Sequence, residues 1–117
     1  MMNVIVLVNI YSYNKLGWFY MILSISVSEL SRILPGANLI DIRSVEKYND
    51  NHIPGAINIP SDKLLANYRK YLDVNQTYYL YCQKGIKSLK VSQILNRLGY
   101  KTMNLNGGYE SWILEQT

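Results

Sequence analysis

From Ser26 onward, short β-prone runs alternate with helically spaced segments, and that alternation leaves few folds open. Asn38-Leu39-Ile40-Asp41-Ile42 reads as a buried strand, Ile57-Asn58-Ile59 as a brief one and Thr102 to Leu105 as the last. Tyr78-Tyr79-Leu80-Tyr81 shows no apolar–polar alternation, the pattern of a strand buried on both faces. Helices are expected between them. Ser26-Val27-Ser28-Glu29 has capping-box form, and Val27, Leu30, Ile33 and Leu34 follow at helical spacing until Pro35-Gly36. Ser44 can cap a short helix through Tyr48, and Pro60-Ser61-Asp62 opens another with Leu64, Leu65, Tyr68 and Leu72 on one face. A further helix to about Leu98 carries a stripe of Val91, Ile94, Leu95 and Leu98, with Gly99 at its C′ position. Asn106-Gly107-Gly108 turns into a final short helix holding Tyr109, Trp112 and Ile113. Such alternation predicts an α/β domain built on a mainly parallel sheet.

A chain of 117 residues is enough for one such domain and too short for two. With 17% charged residues and about half apolar, it can bury a core. A net charge of +4 is ordinary, and no nucleic-acid partner is expected from it. One cysteine and one histidine, Cys82 and His52, exclude an internal disulfide and a His/Cys zinc site, so neither metal nor cofactor is expected. A lone thiol fits a reducing compartment, and the expectation is a cytoplasmic monomer. Residues 1–23 hold two apolar runs, each shorter than the ~20 residues of a membrane span. They lack a basic leader and a small-residue cleavage site. They read as an extra edge strand, a surface tail or an extension upstream of the true start near Met21. The expected division is therefore an extension at 1–23 with no assigned role, and a domain at 24–117.

Cys82 stands at the carboxyl end of a predicted central strand, just before a helix, where open α/β sheets bind ligands. The expected loop runs Cys82-Gln83-Lys84-Gly85-Ile86-Lys87. Its N–H groups can curl around the sulfur as an anion nest, and the helix N-terminus adds partial positive charge. Lys84 and Lys87 add two full charges, and Gly85 allows a positive φ. Ser88 can cap the helix or bond a substrate. Such surroundings favour a thiolate. The competing reading of Cys82, a small buried hydrophobe at a strand end, does not explain the basic, glycine-containing loop that follows it. No general base accompanies the cysteine. Attack by a preformed thiolate on sulfane sulfur needs none, because the leaving group is a stable anion.

Three stretches resemble the single-domain rhodaneses, the thiosulfate sulfurtransferase family. Leu39-Ile40-Asp41-Ile42-Arg43 resembles the family's Asp-x-Arg strand end. His52-Ile53-Pro54-Gly55-Ala56-Ile57-Asn58-Ile59-Pro60 resembles its second motif. Tyr81 to Ser88, followed by Leu98-Gly99-Tyr100 and Gly107-Gly108-Tyr109-Glu110-Ser111-Trp112, resembles its active-site loop and closing motif. The resemblance implies a rhodanese-like five-stranded, mainly parallel sheet flanked by helices on both faces. It implies that Cys82 accepts sulfane sulfur from a thiosulfate-like anion as a persulfide. Cys82 then passes that sulfur to cyanide, a thiol or a sulfur-accepting protein. The N–H groups of Gln83, Lys84, Gly85, Ile86, Lys87 and Ser88 would cradle the sulfur. Lys87 stands where relatives often carry arginine, which keeps the charge but loses the bidentate fork. Asp41 and Arg43 are expected to support the loop rather than bind substrate. His52 is expected to pack against the Pro54-Gly55 turn, and Trp112 to lie in the core.

Two other readings have definable signatures. A cysteine phosphatase would need arginine at position 88 to grip phosphate; this chain has Ser88, and a six-residue loop suits one sulfur atom better. A binding module, or a persulfide relay without efficient thiosulfate turnover, would differ in donor and acceptor rather than in the loop.

Overall fold

The computed structural model describes residues 24–116, and the expected extension at 1–23 lies outside them. Five strands form one sheet: β1 (Ser24–Ile25), β2 (Asn38–Asp41), β3 (Ile57–Asn58), β4 (Thr77–Tyr81) and β5 (Lys101–Leu105). Their order is β1-β5-β4-β2-β3, and every pairing is parallel. Parallel neighbours need crossover connections, and the helices supply them: α1 (Val27–Ile33), α2 (Val45–Asp50), α3 (Ser61–Ala66), α4 (Tyr68–Tyr71), α5 (Ile86–Arg97) and α6 (Gly108–Glu115). Among the described residues no helix is long and apolar enough to cross a membrane.

The sheet separates two cores, because successive strand residues point to opposite faces. Ile40, Leu80 and Cys82 face one side, against Leu64 of α3 and Val91 and Leu95 of α5. Leu39 and Tyr81 face the other, against Val27 and Leu30 of α1 and Tyr109 of α6. Trp112 packs at the edge of this second core, as expected. Both faces being covered explains why β2 and β4 read as continuous apolar runs.

Helix starts follow the local sequence closely. Ser26 caps α1 through the Glu29 N–H at 3.1 Å, and Glu29 returns the bond to the Ser26 N–H at 2.8 Å. The Ser44 hydroxyl likewise accepts from the Lys47 N–H and caps α2.

Four expectations change. β1, an edge strand beside β5, was not foreseen from its own residues. The helix expected from Pro60 to Leu72 is two, α3 and α4. Asn67 leaves helical geometry at φ −135°, ψ 33°, and its side-chain amide donates to the Lys63 carbonyl at 3.1 Å. The buried stripe of α5 is Ser88, Val91, Ser92 and Leu95, while Ile94 and Leu98 are 40% and 46% exposed. The helix is rotated so that two serines, rather than two larger aliphatics, approach the sheet. In α1 Ile33 is exposed, while Leu34, just past the helix end, packs against the second core with Val27 and Leu30.

Candidate active site

Cys82 follows β4 directly and starts a short turn that ends at Gly85. Gly85 adopts φ 86°, ψ 0°, a left-handed geometry that reverses the chain so that α5 begins at once. The loop is therefore shorter than expected: Ile86, Lys87 and Ser88 form the first turn of the helix. That turn carries N–H groups with no intrahelical acceptor. One of them, from Ser88, donates to Cys82 Sγ at 3.3 Å, and the Gly85 N–H donates at 3.2 Å. The Ser88 hydroxyl also lies 3.2 Å from Sγ.

These contacts decide the thiol's charge. Burial pushes the Cys82 thiol up, but the Ser88 hydroxyl and the Ser88, Gly85 and Lys84 N–H groups outweigh it, so the thiol titrates below its ordinary 9.0. The principal causes are thus directed hydrogen bonds. The ammonium groups of Lys84 and Lys87, expected to help, are exposed and are not among them. Water screens charges held that way.

The turn rests on the start of α6. The Tyr109 N–H donates to the Cys82 carbonyl at 2.9 Å, and the Glu110 N–H to the Gln83 carbonyl at 3.0 Å. The carbonyls are thereby drawn toward α6. A Cβ on Gly108 would lie 2.5 Å from the Cys82 carbonyl oxygen and 2.6 Å from the Gly85 nitrogen, so glycine at 108 is a requirement of close backbone approach.

Asp41 and Arg43 lie under the loop. Asp41 is fully buried, and its carboxylate pairs with the Arg43 guanidinium at 2.7 Å. The same guanidinium donates to Gln83 Oε1 at 3.0 Å and to the Asn51 carbonyl at 2.6 Å, and it stacks 4.3 Å from the Tyr109 ring. Arg43 is thus committed to protein groups and ties β2, the loop and α6 together. His52 does not join them: its ring stacks on Tyr48 at 3.8 Å.

Asn104 was missed. Buried in β5, it offers Oδ1 as a second acceptor, beside Cys82 Sγ, for the single Ser88 hydroxyl proton, which serves one of them at a time, and its amide donates to the Ser24 hydroxyl at 3.1 Å. A signal existed. Polar Thr102 and Asn104 share one face of a strand, and polar Ser88 and Ser92 share one face of the preceding helix. Two matched polar pairs on apposed faces predict contact; Thr102 accordingly donates to the Ser92 carbonyl.

Above Cys82 opens a cleft of about 1010 Å³, bounded by the end of β2, α2, the start of α3 and the first turns of α5. Gln83, Lys84, Ile86 and Lys87 line it, and Asp41 does not. Cys82 is 7% exposed and lines this opening.

Comparison with known proteins agrees with this geometry. Residues 26–115 match the family described as the rhodanese-like domain. The chain is 35% identical over 77 residues to the uncharacterized protein YqhL of Bacillus subtilis, a match spanning 60% of that protein. It is 36% identical over 70 residues, 59% of this chain and 67% of the relative, to the thiosulfate sulfurtransferase PspE of Escherichia coli. A rhodanese-related protein from Thermoplasma volcanium superimposes with a TM-score of 0.74 at 27% identity, covering 80% of this chain and 92% of that one. Sheet order, strand-end cysteine and family match coincide, and the chain belongs to the rhodanese-like sulfurtransferase family.

Proposed function

We propose that Cys82 carries sulfane sulfur as a persulfide, taking it from thiosulfate or a related donor and passing it to cyanide, a thiol or a protein cysteine. The observation that carries this is the convergence of N–H groups and the Ser88 hydroxyl on Sγ at the mouth of a basic cleft. A nest of that kind stabilises an anionic sulfur before reaction and another after it.

The steps balance without a cofactor. The Cys82 thiolate attacks the outer sulfur of thiosulfate, a sulfur–sulfur bond forms, and the bond to sulfite breaks with its electron pair leaving on sulfite. The persulfide's terminal sulfur then bears the negative charge. N–H groups of the α5 first turn, Ile86 and Lys87 among them, would hold it. Lys84 and Lys87 attract the donor anion to the cleft. An acceptor nucleophile next attacks the terminal sulfur, and the pair from the broken sulfur–sulfur bond returns to Cys82 as thiolate. Neither step protonates a leaving amine, so no histidine is required. Asp41 and Arg43 act only through the loop. The sulfur-handling unit is residues 24–117, working as a cytoplasmic monomer.

Intact-mass spectrometry after thiosulfate exposure tests the proposal. The expected product is an adduct of about 32 Da, one sulfur atom, that cyanide removes and that Cys82→Ala abolishes. Failure to gain sulfur while Cys82 still alkylates would overturn it.

A further inference from the structure

The cleft is far larger and more cationic than a single sulfur anion requires. Lys47 from α2, Lys63 from α3, Lys84 from the loop, and Lys87 and Lys90 from α5 all line it, against one carboxylate, Asp62. All five lysines are exposed. Among the described residues the sole ion pair joins Arg43 to Asp41, so none of the five is neutralised by a carboxylate. Three helices and the loop thus converge unpaired positive charge around an opening that reaches Cys82.

The floor and rim narrow the choice of occupant. Val45 and Ile86 line the same cleft and are 49% and 64% exposed, an apolar contribution that a small hydrated anion would not use. Among the described residues no aromatic lines it, so they build no stacking platform of a single-stranded nucleic-acid site there. The chain's own residues 1–23 contain neither aspartate nor glutamate and cannot supply the complementary charge.

We infer that the cleft is a docking surface for an acidic protein segment that presents the thiol or persulfide exchanging sulfur with Cys82. This rests on the persulfide reading above and adds the partner's chemistry. Lys47, Lys63 and Lys90 steer and hold the acidic side chains, while Val45 and Ile86 meet apolar groups of the segment. In the transfer step the partner's thiolate attacks the terminal sulfur of the Cys82 persulfide. The new sulfur–sulfur bond forms on the partner, and the electron pair of the broken bond returns to Cys82.

The test uses the full chain, loaded with sulfur by thiosulfate and desalted. Two peptides serve as acceptors, each with one cysteine, one flanked by six glutamates and the other by six glutamines. Transfer is followed by intact mass. The glutamate peptide should accept sulfur at least ~10-fold faster at low salt, the scale of electrostatic steering, and the advantage should fall as salt rises. The triple variant Lys47→Glu, Lys63→Glu, Lys90→Glu should lose that preference while transferring to neutral 2-mercaptoethanol at the wild-type rate. Equal rates for the two peptides, or a preference surviving the triple variant, would overturn the inference. So would fast transfer to a small phosphate-bearing thiol, coenzyme A, with neither peptide accepting. If Cys82 never gains sulfur from thiosulfate, the adduct is missing before any acceptor is added, which separates failure of the persulfide reading from failure of this one.

Discussion

Replacing Gly108 by alanine tests how tightly the sulfur site depends on α6. Gly108 has φ +64°, and an added Cβ would meet the Cys82 carbonyl oxygen at 2.5 Å, the Gly85 nitrogen at 2.6 Å and the Gln83 carbonyl carbon at 2.8 Å. All three are backbone atoms of the loop, so no side chain can swing aside. Gly99 is the matched control: its φ is +99° and nothing lies within 4 Å of the added Cβ. Left-handed geometry costs an ordinary residue roughly 1–2 kcal/mol. The stiffer unfolded chain of an alanine variant offsets about 0.4–1 kcal/mol of that. Gly99→Ala should therefore destabilise by about 1 kcal/mol net. Gly108→Ala bears the same conformational cost plus overpacking of roughly 1–3 kcal/mol, for a total near 2–4 kcal/mol. Urea unfolding at unchanged m-value measures both. The loop must also move to relieve the contacts, which disturbs the 2.9 Å bond from the Tyr109 N–H to the Cys82 carbonyl. Alkylation of Cys82 in Gly108→Ala should consequently shift to higher pH, while Gly99→Ala leaves it unchanged. Equal stability losses in the two variants, with identical alkylation profiles, would refute the view that α6 braces the loop.

Ser88→Ala removes the hydroxyl 3.2 Å from Sγ but keeps the backbone donor. A hydrogen bond to a charged group contributes about 1.5–3 kcal/mol, but turning the one hydroxyl proton to the thiolate forfeits its neutral bond to Asn104 Oδ1, worth about 0.5–1.5 kcal/mol, so below the titration midpoint the thiolate population should fall severalfold. Iodoacetamide alkylation followed against pH reads this directly, and an unmoved midpoint would remove Ser88 from the site. Because the folded thiol titrates below 9.0, the thiolate stabilises the fold; the gain is complete above the unfolded value and is lost as pH falls through the folded one. The stability difference between wild type and Cys82→Ala should therefore rise with pH across that window, and a flat difference in urea titrations would contradict it. Asp41→Asn leaves the buried Arg43 guanidinium without its counter-charge and should cost about 3–5 kcal/mol. A loss below ~1 kcal/mol would show that the pair is dispensable.

Much of this protein is legible one segment at a time. The capping box at Ser26 and Glu29, the β-prone runs of β2 and β4 and the glycine ending α5 depend on residues adjacent in sequence, whose conformational preferences act before any distant contact forms. Cys82 was legible for the same reason. A strand end, a glycine able to take positive φ and a helix start lie within seven residues, and together they imply donors curled on the sulfur.

Tertiary structure decided everything that depends on which faces meet. Hydropathy alone orients α5 by its aliphatics. In the folded domain, Ser88 faces the sheet, where its hydroxyl meets Asn104 of β5, and Ser92 faces it too, its carbonyl accepting from Thr102 while its hydroxyl is buried without a partner. Of the causes expected to lower the thiol, the N–H nest is the one that acts; the exposed lysine charges are screened, and hydrogen bonds to the buried sulfur prevail. Asn104 and Gly108 matter through partners that lie 16 and 26 residues upstream, and the five lysines of the cleft come from three separate stretches of chain. Local preference specified the elements and the nucleophile. Only assembly of the sheet could set the phase of α5, the brace beneath the loop and the charge around the opening, because each arises from groups that meet after the chain has closed on itself.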